Sequence, residues 1–295
     1  MKAAAVPADA ARSRVTDLLI LTKVRVNALV VATTAGGFYM GSPDAMDLTA
    51  LAATVIGTGL VAGGAAALNQ ISERDLDRLM DRTRMRPVAD GRMGVREARL
   101  VAWGVSIAGL ALLALMANAL ATAIAAVTLA IYAFVYTPMK RMTSFSTVVG
   151  AVPGALPPMI DWAAARGSVD APAWALFLIV FLWQLPHFLA IAWLYREDYA
   201  RASFPMLPVV DPDGASTARQ SLLYATALLP ISVLPSALGM TGLVYAIAAF
   251  VLGLAFIATG VRFAIRRTKP NARLLFLASL VYLPAVWGLM MFDRR

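Results

Sequence analysis

Asn69-Gln-Ile-Ser-Glu73-Arg-Asp75-Leu-Asp77-Arg-Leu-Met-Asp81-Arg-Thr-Arg-Met-Arg86-Pro87 directly follows an apolar run from Leu48 to Leu68. Its nineteen positions hold four of the chain's 17 acidic residues and five of its arginines. Charge this dense at the end of a hydrophobic run is costly beside hydrocarbon and needs compensation. If the run is a helix that continues past Leu68, then Asn69, Glu73 and Asp77 fall at i, i+4 and i+8. They share one face, drifting by about 40° per step. Such a row of oxygen donors suits a hard cation such as Mg²⁺, which takes one or two protein carboxylates plus water and substrate phosphates. Arg82, Arg84 and Arg86, with Lys140 and Arg141 further on, are cations available to the other oxygens of a diphosphate. Spacing alone also permits a plainer reading, in which Glu73 forms solvated helix pairs beside Arg78 or Asp77. Asp75 points away from the row, toward Arg78 or Arg82, and Asp81 has drifted by about 120°.

Working outward, 60% of the 295 residues are hydrophobic and 15% charged, which excludes an ordinary soluble domain. Long unbroken apolar runs argue for an all-α bundle of membrane helices and against barrel strands, which alternate. Spans are expected near 18–41, 48–70, 97–116, 119–138, 145–163, 173–195, 219–238, 241–264 and 273–292. In the first, Lys23 and Arg25 interrupt one end and either snorkel or reach a polar cavity. Sorting the basic residues over these nine spans leaves 23 of 26 on one face. The positive-inside rule then makes that face cytoplasmic, with the N-terminus there and the C-terminus opposite. This accounts for the net charge of +9 without a nucleic acid. The polar segment through Asp17 lacks the apolar core of a signal peptide. With no cysteine and one histidine, thiolate chemistry and multi-histidine metal sites are excluded.

Asp44, Asp47, Asp161, Asp170 and Asp293 are expected on the outer face, scattered and solvated. Ten other acidic residues fall in two inner loops that follow spans two and six, and the short basic loops follow spans four and eight. That offset suggests a single domain over 1–295 built as two four-helix halves plus a ninth helix. The second acidic loop reads Arg196-Glu197-Asp198-Tyr199, with Arg201 after it. Glu197 and Asp198 could hold a second metal, or be ordinary interfacial charges. Within span six, Pro186 should kink the helix beside Gln184 and His187. A histidine at membrane depth is a functional candidate, or else a helix–helix hydrogen-bonding group. Pro153, Pro157 and Pro158 amid small residues predict a broken or closely packed fifth span.

Asn69-x3-Glu73-x3-Asp77 followed by Arg82-Thr-Arg-x-Arg86-Pro87 resembles the first aspartate-rich motif of the UbiA superfamily of intramembrane prenyltransferases. Tyr136-Thr-Pro-Met-Lys140-Arg141, Gly150-Ala-Val-Pro-Gly-Ala-Leu-Pro-Pro158, Trp183-Gln-Leu-Pro-His187-Phe188 and Arg196-Glu-Asp-Tyr199 with Pro205-Met-Leu-Pro208 extend the likeness. Together they span about two thirds of the chain and are most similar to the branch that farnesylates heme b. The resemblance implies nine helices around a cavity, Mg²⁺ bound by both acidic loops, and farnesyl transfer from farnesyl diphosphate to a heme vinyl group with addition of water. It implies Asn69, Glu73, Asp77, Glu197 and Asp198 as metal ligands, with Lys140 and Arg141 completing the catalytic set. Arg82, Arg86, Tyr136 and Arg196 would bind substrate, His187 would contact heme, and Lys23 or Arg25 would meet its propionates. The product would pass to a heme A synthase or a terminal oxidase. Two departures stand out: Glu73 replaces the usual Asp, and the second loop lacks the Asp-x3-Asp of quinone-type members. The second departure favours heme over a quinone or chlorin acceptor. A transporter should carry ionisable groups deep in several spans, and a structural respiratory subunit would leave the 69–87 charges without a purpose.

Overall fold

The computed structural model describes residues 13–42 and 46–295, apart from the side chains at positions 25, 26 and 28–30. Arg25 and Asp44 therefore lie outside the described side chains and residues. The chain is helical: α1 (Arg14–Leu21), α2 (Val24–Gly41), α3 (Leu48–Asp77), α4 (Val95–Met116), α5 (Ala119–Ala130), a π-helix (Ile131–Tyr136), α6 (Thr137–Met139), α7 (Ser146–Ala155), α8 (Pro157–Arg166), α9 (Ala171–Leu194), α10 (Arg196–Arg201), α11 (Leu207–Val210), α12 (Ala215–Ala237), α13 (Leu243–Ile265) and α14 (Lys269–Phe292). Among the described residues, eight helical spans are long and apolar enough to cross a membrane. The expected first span is α2, 18 residues long. It is separated from α1 at Thr22–Lys23, where Lys23 adopts a left-handed backbone (φ 51°). That conformation is uncommon outside glycine.

The length of α3 sets the height of the site. Asp47 caps its start, accepting from the backbone N–H groups of Thr49 and Ala50 at 2.8 and 3.0 Å. Its 30 residues rise about 45 Å at 1.5 Å each. The hydrocarbon core needs only about 20 of them, so the final turns, with Asn69, Glu73 and Asp77, stand beyond it. Small residues let α4 hold α3 closely. A Cβ on Gly64 would meet the Ala102 carbonyl at 2.8 Å, and one on Gly109 would meet that of Gly57 at 2.6 Å.

Span five breaks as its prolines predict, since α7 ends at Ala155 and α8 starts at Pro157. Span six is a single helix, α9, with Pro186 inside it. Of the outer acidic residues expected to be solvated, Asp47 is exposed, Asp170 and Asp293 are half-buried and Asp161 is buried. Asp47 and Asp170 cap α3 and α9, and Asp293 accepts from the Tyr245 N–H at 2.7 Å. Asp161 is completely buried, with Thr34 and Thr58 as its polar neighbours. Sequence position put it near a surface, but packing of α8 against α2 and α3 encloses it.

Candidate active site

The row at the end of α3 is buried: Asn69 is 2% exposed, Glu73 1% and Asp77 0%. Buried polar groups need partners, and each member finds one from another element. Asn69 donates from Nδ2 to Thr137 Oγ1 at 3.3 Å. Lys140 Nζ donates to both Glu73 oxygens, at 2.8 and 3.0 Å. Arg86 Nη1 donates to both Asp77 oxygens at 2.8 Å. The plainer reading of Glu73, a solvated pair with Arg78, therefore fails, and Arg78 instead pairs with Asp75 at 3.7 Å.

Thr137 and Lys140 reach α3 because of the π-helix ahead of them. The wider π turn inserts a residue and rotates the downstream side chains by about 100° relative to a continuous α-helix. Tyr136 at its end packs against Gly150, where a Cβ would sit 2.4 Å from the ring. The Lys140 ammonium lies 5.7 Å from the Tyr136 ring and 4.9 Å from that of Phe204. Burial opposes the charge on Lys140, but the Glu73 carboxylate outweighs it and holds the ammonium above its ordinary pKa. Lys23 is turned into the same field. Burial, then the Arg86 and Lys140 cations, lower its pKa to about 7 against the pull of Glu73 and Asp77. Its neighbours are thus the charges of the acidic row.

The segment after α3 and the α10 region close over the site. Arg82 donates to the Tyr199 hydroxyl at 2.9 Å and lies over the Tyr195 and Tyr199 rings at 5.0 and 5.5 Å. Its backbone N–H approaches Asp198 at 3.4 Å. Arg201 bridges Asp198 and Asp81. Met80, Tyr199, Phe204 and Met206 form a small apolar core between the two segments.

Several expected residues lie elsewhere. Glu197, expected beside Asp198 as a metal ligand, lies on the exposed surface of α10, where Lys269 meets it at 3.0 Å. Adjacent positions on a helix point about 100° apart, so both could not face the row. Asp198 itself is taken up by Arg201 and the Arg82 backbone. Arg196 stacks over Trp193 at 4.4 Å and donates to the Pro212 carbonyl, away from the row. Arg141 is exposed and donates to the Ser72 carbonyl. His187 belongs to a separate cluster between α9 and α14. Its Nδ1 lies 2.7 Å from Ser279 Oγ, and its ring stacks on Trp183 with centroids 5.1 Å apart. Thr137, Tyr199 and Phe204 contact the site residues without having been singled out from the sequence. Thr137 and Tyr199 lay inside stretches read for their charges, and no spacing rule joins them to α3.

A membrane bundle ending in a buried Asn-Glu-Asp row ringed by cations is one observation, and sequence comparison supplies the other. The UbiA prenyltransferase family pattern matches residues 29–283. The chain belongs to the UbiA prenyltransferase family. Within it, the chain is 50% identical over 287 residues to the protoheme IX farnesyltransferase of Solibacter usitatus (strain Ellin6076), covering 94% of this chain and 98% of that one. It is 42% identical over 300 residues to the protoheme IX farnesyltransferase of Koribacter versatilis (strain Ellin345), covering 98% and 97%. The UbiA fold recurs in a solved structure of digeranylgeranylglyceryl phosphate synthase (TM-score 0.76, 17% identity, 95% and 98% covered). A UbiA homolog from Archaeoglobus fulgidus bound to DMAPP and Mg²⁺ is also similar (TM-score 0.63, 18% identity, 93% and 99% covered). At such identities these two bear on the fold alone.

Proposed function

We propose that this chain transfers the farnesyl group of farnesyl diphosphate to a vinyl group of heme b, with addition of water, giving heme O and diphosphate. The observation that carries this reading is 50% identity to a protoheme IX farnesyltransferase across nearly the whole of both chains. The buried row supplies the chemistry the reaction needs at one end of an apolar bundle.

Two carboxylates and an amide oxygen are hard donors, and they suit Mg²⁺. Among the described residues no group of three or more Asp, Glu, His or Cys side chains could hold a metal ion, so an ion at this row would take its remaining ligands from Asn69, water and substrate. That sparse donor set fits an ion that completes its shell with substrate phosphates. Asn69, Glu73 and Asp77 would hold it, and Asp198 of the second loop would join them by giving up its pairing with Arg201. Bound there, Mg²⁺ supplies Lewis-acid neutralisation of the diphosphate. Lys140, Arg86 and Lys23 bind the diphosphate oxygens, exchanging carboxylate partners for phosphate. Arg82 and Arg201 tie the covering segments down and keep water out.

The C–O bond to farnesyl breaks with its electron pair leaving on the diphosphate. The allylic cation is captured by the vinyl π electrons, and water adds to the resulting cation with loss of a proton. Positive charge at the leaving group and a dry cavity behind it both favour this course.

His187 is the candidate heme contact. Ser279 Oγ donates its only hydrogen to the Phe276 carbonyl at 2.5 Å. Toward His187 it therefore accepts, which puts the imidazole hydrogen on Nδ1 and leaves Nε2 with a bare lone pair. Such a nitrogen can ligate iron or accept a hydrogen bond. The skew of 23 of 26 basic residues to one face supports a cytoplasmic N-terminus, and the bacterial relatives support a place in the inner membrane.

The test is heme O production from farnesyl diphosphate, heme b and Mg²⁺ in membranes carrying the chain. Asp77→Ala is expected to abolish it. Full heme O production by that variant, or transfer to 4-hydroxybenzoate in place of heme b, would overturn the reading.

A further inference from the structure

The hydroxyl of Thr137 has one hydrogen and two polar neighbours. It lies 2.8 Å from the Tyr132 carbonyl oxygen, which can only accept. The hydrogen is therefore spent there, and toward Asn69, 3.3 Å away, Thr137 can only accept. Asn69 must then present its NH₂ group to Thr137, and its carbonyl oxygen Oδ1 points the other way. Hydroxyl stoichiometry thus fixes the amide orientation, whichever way an Asn side chain is drawn. Both residues are nearly inaccessible, at 1% and 2% exposure, so water does not compete for these bonds.

The π-helix makes this possible. Its last turn closes with the Thr137 N–H donating to the same Tyr132 carbonyl, five residues back. In an α-helix that N–H would go to residue 133, and the side chain would be turned away from α3 by about 100°. Thr137 and Lys140 are three apart in the chain, and Asn69 and Glu73 are four apart on α3, so one short segment serves two members of the row.

We propose that Thr137 is a positioning residue for the metal site. By accepting from Asn69 Nδ2, it holds Asn69 Oδ1 as the oxygen offered to the divalent cation. Without the Thr137 hydroxyl the buried amide keeps only its contact with the Glu73 carboxylate, and the flipped orientation, which offers the ion an NH₂ group that cannot coordinate, is no longer opposed by Thr137. This rests on the reading of Asn69 as a metal ligand made above. A hydrogen bond behind a metal ligand typically changes metal affinity by about 10–100-fold.

The test uses the purified full chain in detergent, with Mn²⁺ binding followed by electron paramagnetic resonance in the presence of inorganic pyrophosphate. Thr137→Val keeps the shape and removes the hydroxyl, and is expected to weaken Mn²⁺ binding about tenfold. Thr137→Ser restores the hydroxyl and is expected to return affinity to near the parent value. Adding Thr137→Val to Asn69→Ala should cost nothing more, because the group being positioned is gone. Thermal midpoints of all variants are read alongside, so that a misfolded variant is recognised. If Asn69→Ala weakens Mn²⁺ binding while Thr137→Val does not, the positioning role is overturned and the metal site stands. Failure of serine rescue, or additive losses in the double variant, overturns it as well. Unchanged Mn²⁺ affinity in Asn69→Ala would overturn the metal site and this role together.

Discussion

Replacing Lys140 with methionine tests the electrostatic construction of the site directly. The ammonium donates to both oxygens of Glu73, which is 1% exposed, and is itself 13% exposed. The substitution roughly preserves volume and removes the cation paired with that carboxylate. Breaking a buried ion pair from one side typically costs about 3–5 kcal/mol, because the remaining charge is left desolvated. Residual exposure of Lys140 puts the expected loss at the lower end, about 3 kcal/mol. At roughly 2 °C per kcal/mol for a chain of this size, the apparent unfolding midpoint of the detergent-solubilised protein falls by about 6 °C. Glu73→Gln combined with Lys140→Met removes both charges and should recover most of that loss. Neither variant should make heme O, since the double substitution repairs stability without restoring a cation for the diphosphate. An unchanged midpoint for Lys140→Met, or a double variant less stable than the single one, would refute the pairing argument.

The other expectations concern pH and the second loop. Lys23 titrates near pH 7 in the substrate-free protein, and an incoming diphosphate favours its charged form. Binding above pH 7 must therefore take up a proton, and KM for farnesyl diphosphate should rise by at most about tenfold per pH unit. The unfolded chain binds that proton up to the ordinary lysine range, so stability of the free protein rises with pH over the same window. Lys23→Met should flatten both profiles between pH 6 and 9; a KM profile as steep as the parent's would assign the dependence to another group. Glu197→Ala should leave turnover and thermal midpoint unchanged, because the Glu197–Lys269 pair is solvent-exposed. A large loss of heme O formation in that variant would return Glu197 to the metal set.

Much of the site was legible because its central feature is local. Asn69, Glu73 and Asp77 share a face by helical periodicity alone, and the continuation of α3 past the apolar run puts them beyond the hydrocarbon. The second loop was harder to read. Two adjacent carboxylates look like a pair in sequence, yet α10 sends Glu197 to Lys269 and Asp198 to Arg201. Asp161 misled for a related reason, since a charge close to a span's end looks exposed until neighbouring helices are packed around it.

By itself the sequence determined that the chain is a membrane-embedded helical bundle, which face carries its charge, and where a row of oxygen donors begins. Hydropathy, basic-residue asymmetry and periodicity act over a few turns of one helix, so they survive without tertiary information. Tertiary structure alone decided which cation meets which carboxylate. Lys140 reaches Glu73 across 67 positions, and it does so through a π-helix that no charge pattern announces. The left-handed turn at Lys23 likewise brings that residue among the same charges. Such pairings depend on the angles at which whole helices pack, and those angles are set by small residues and prolines far from the site.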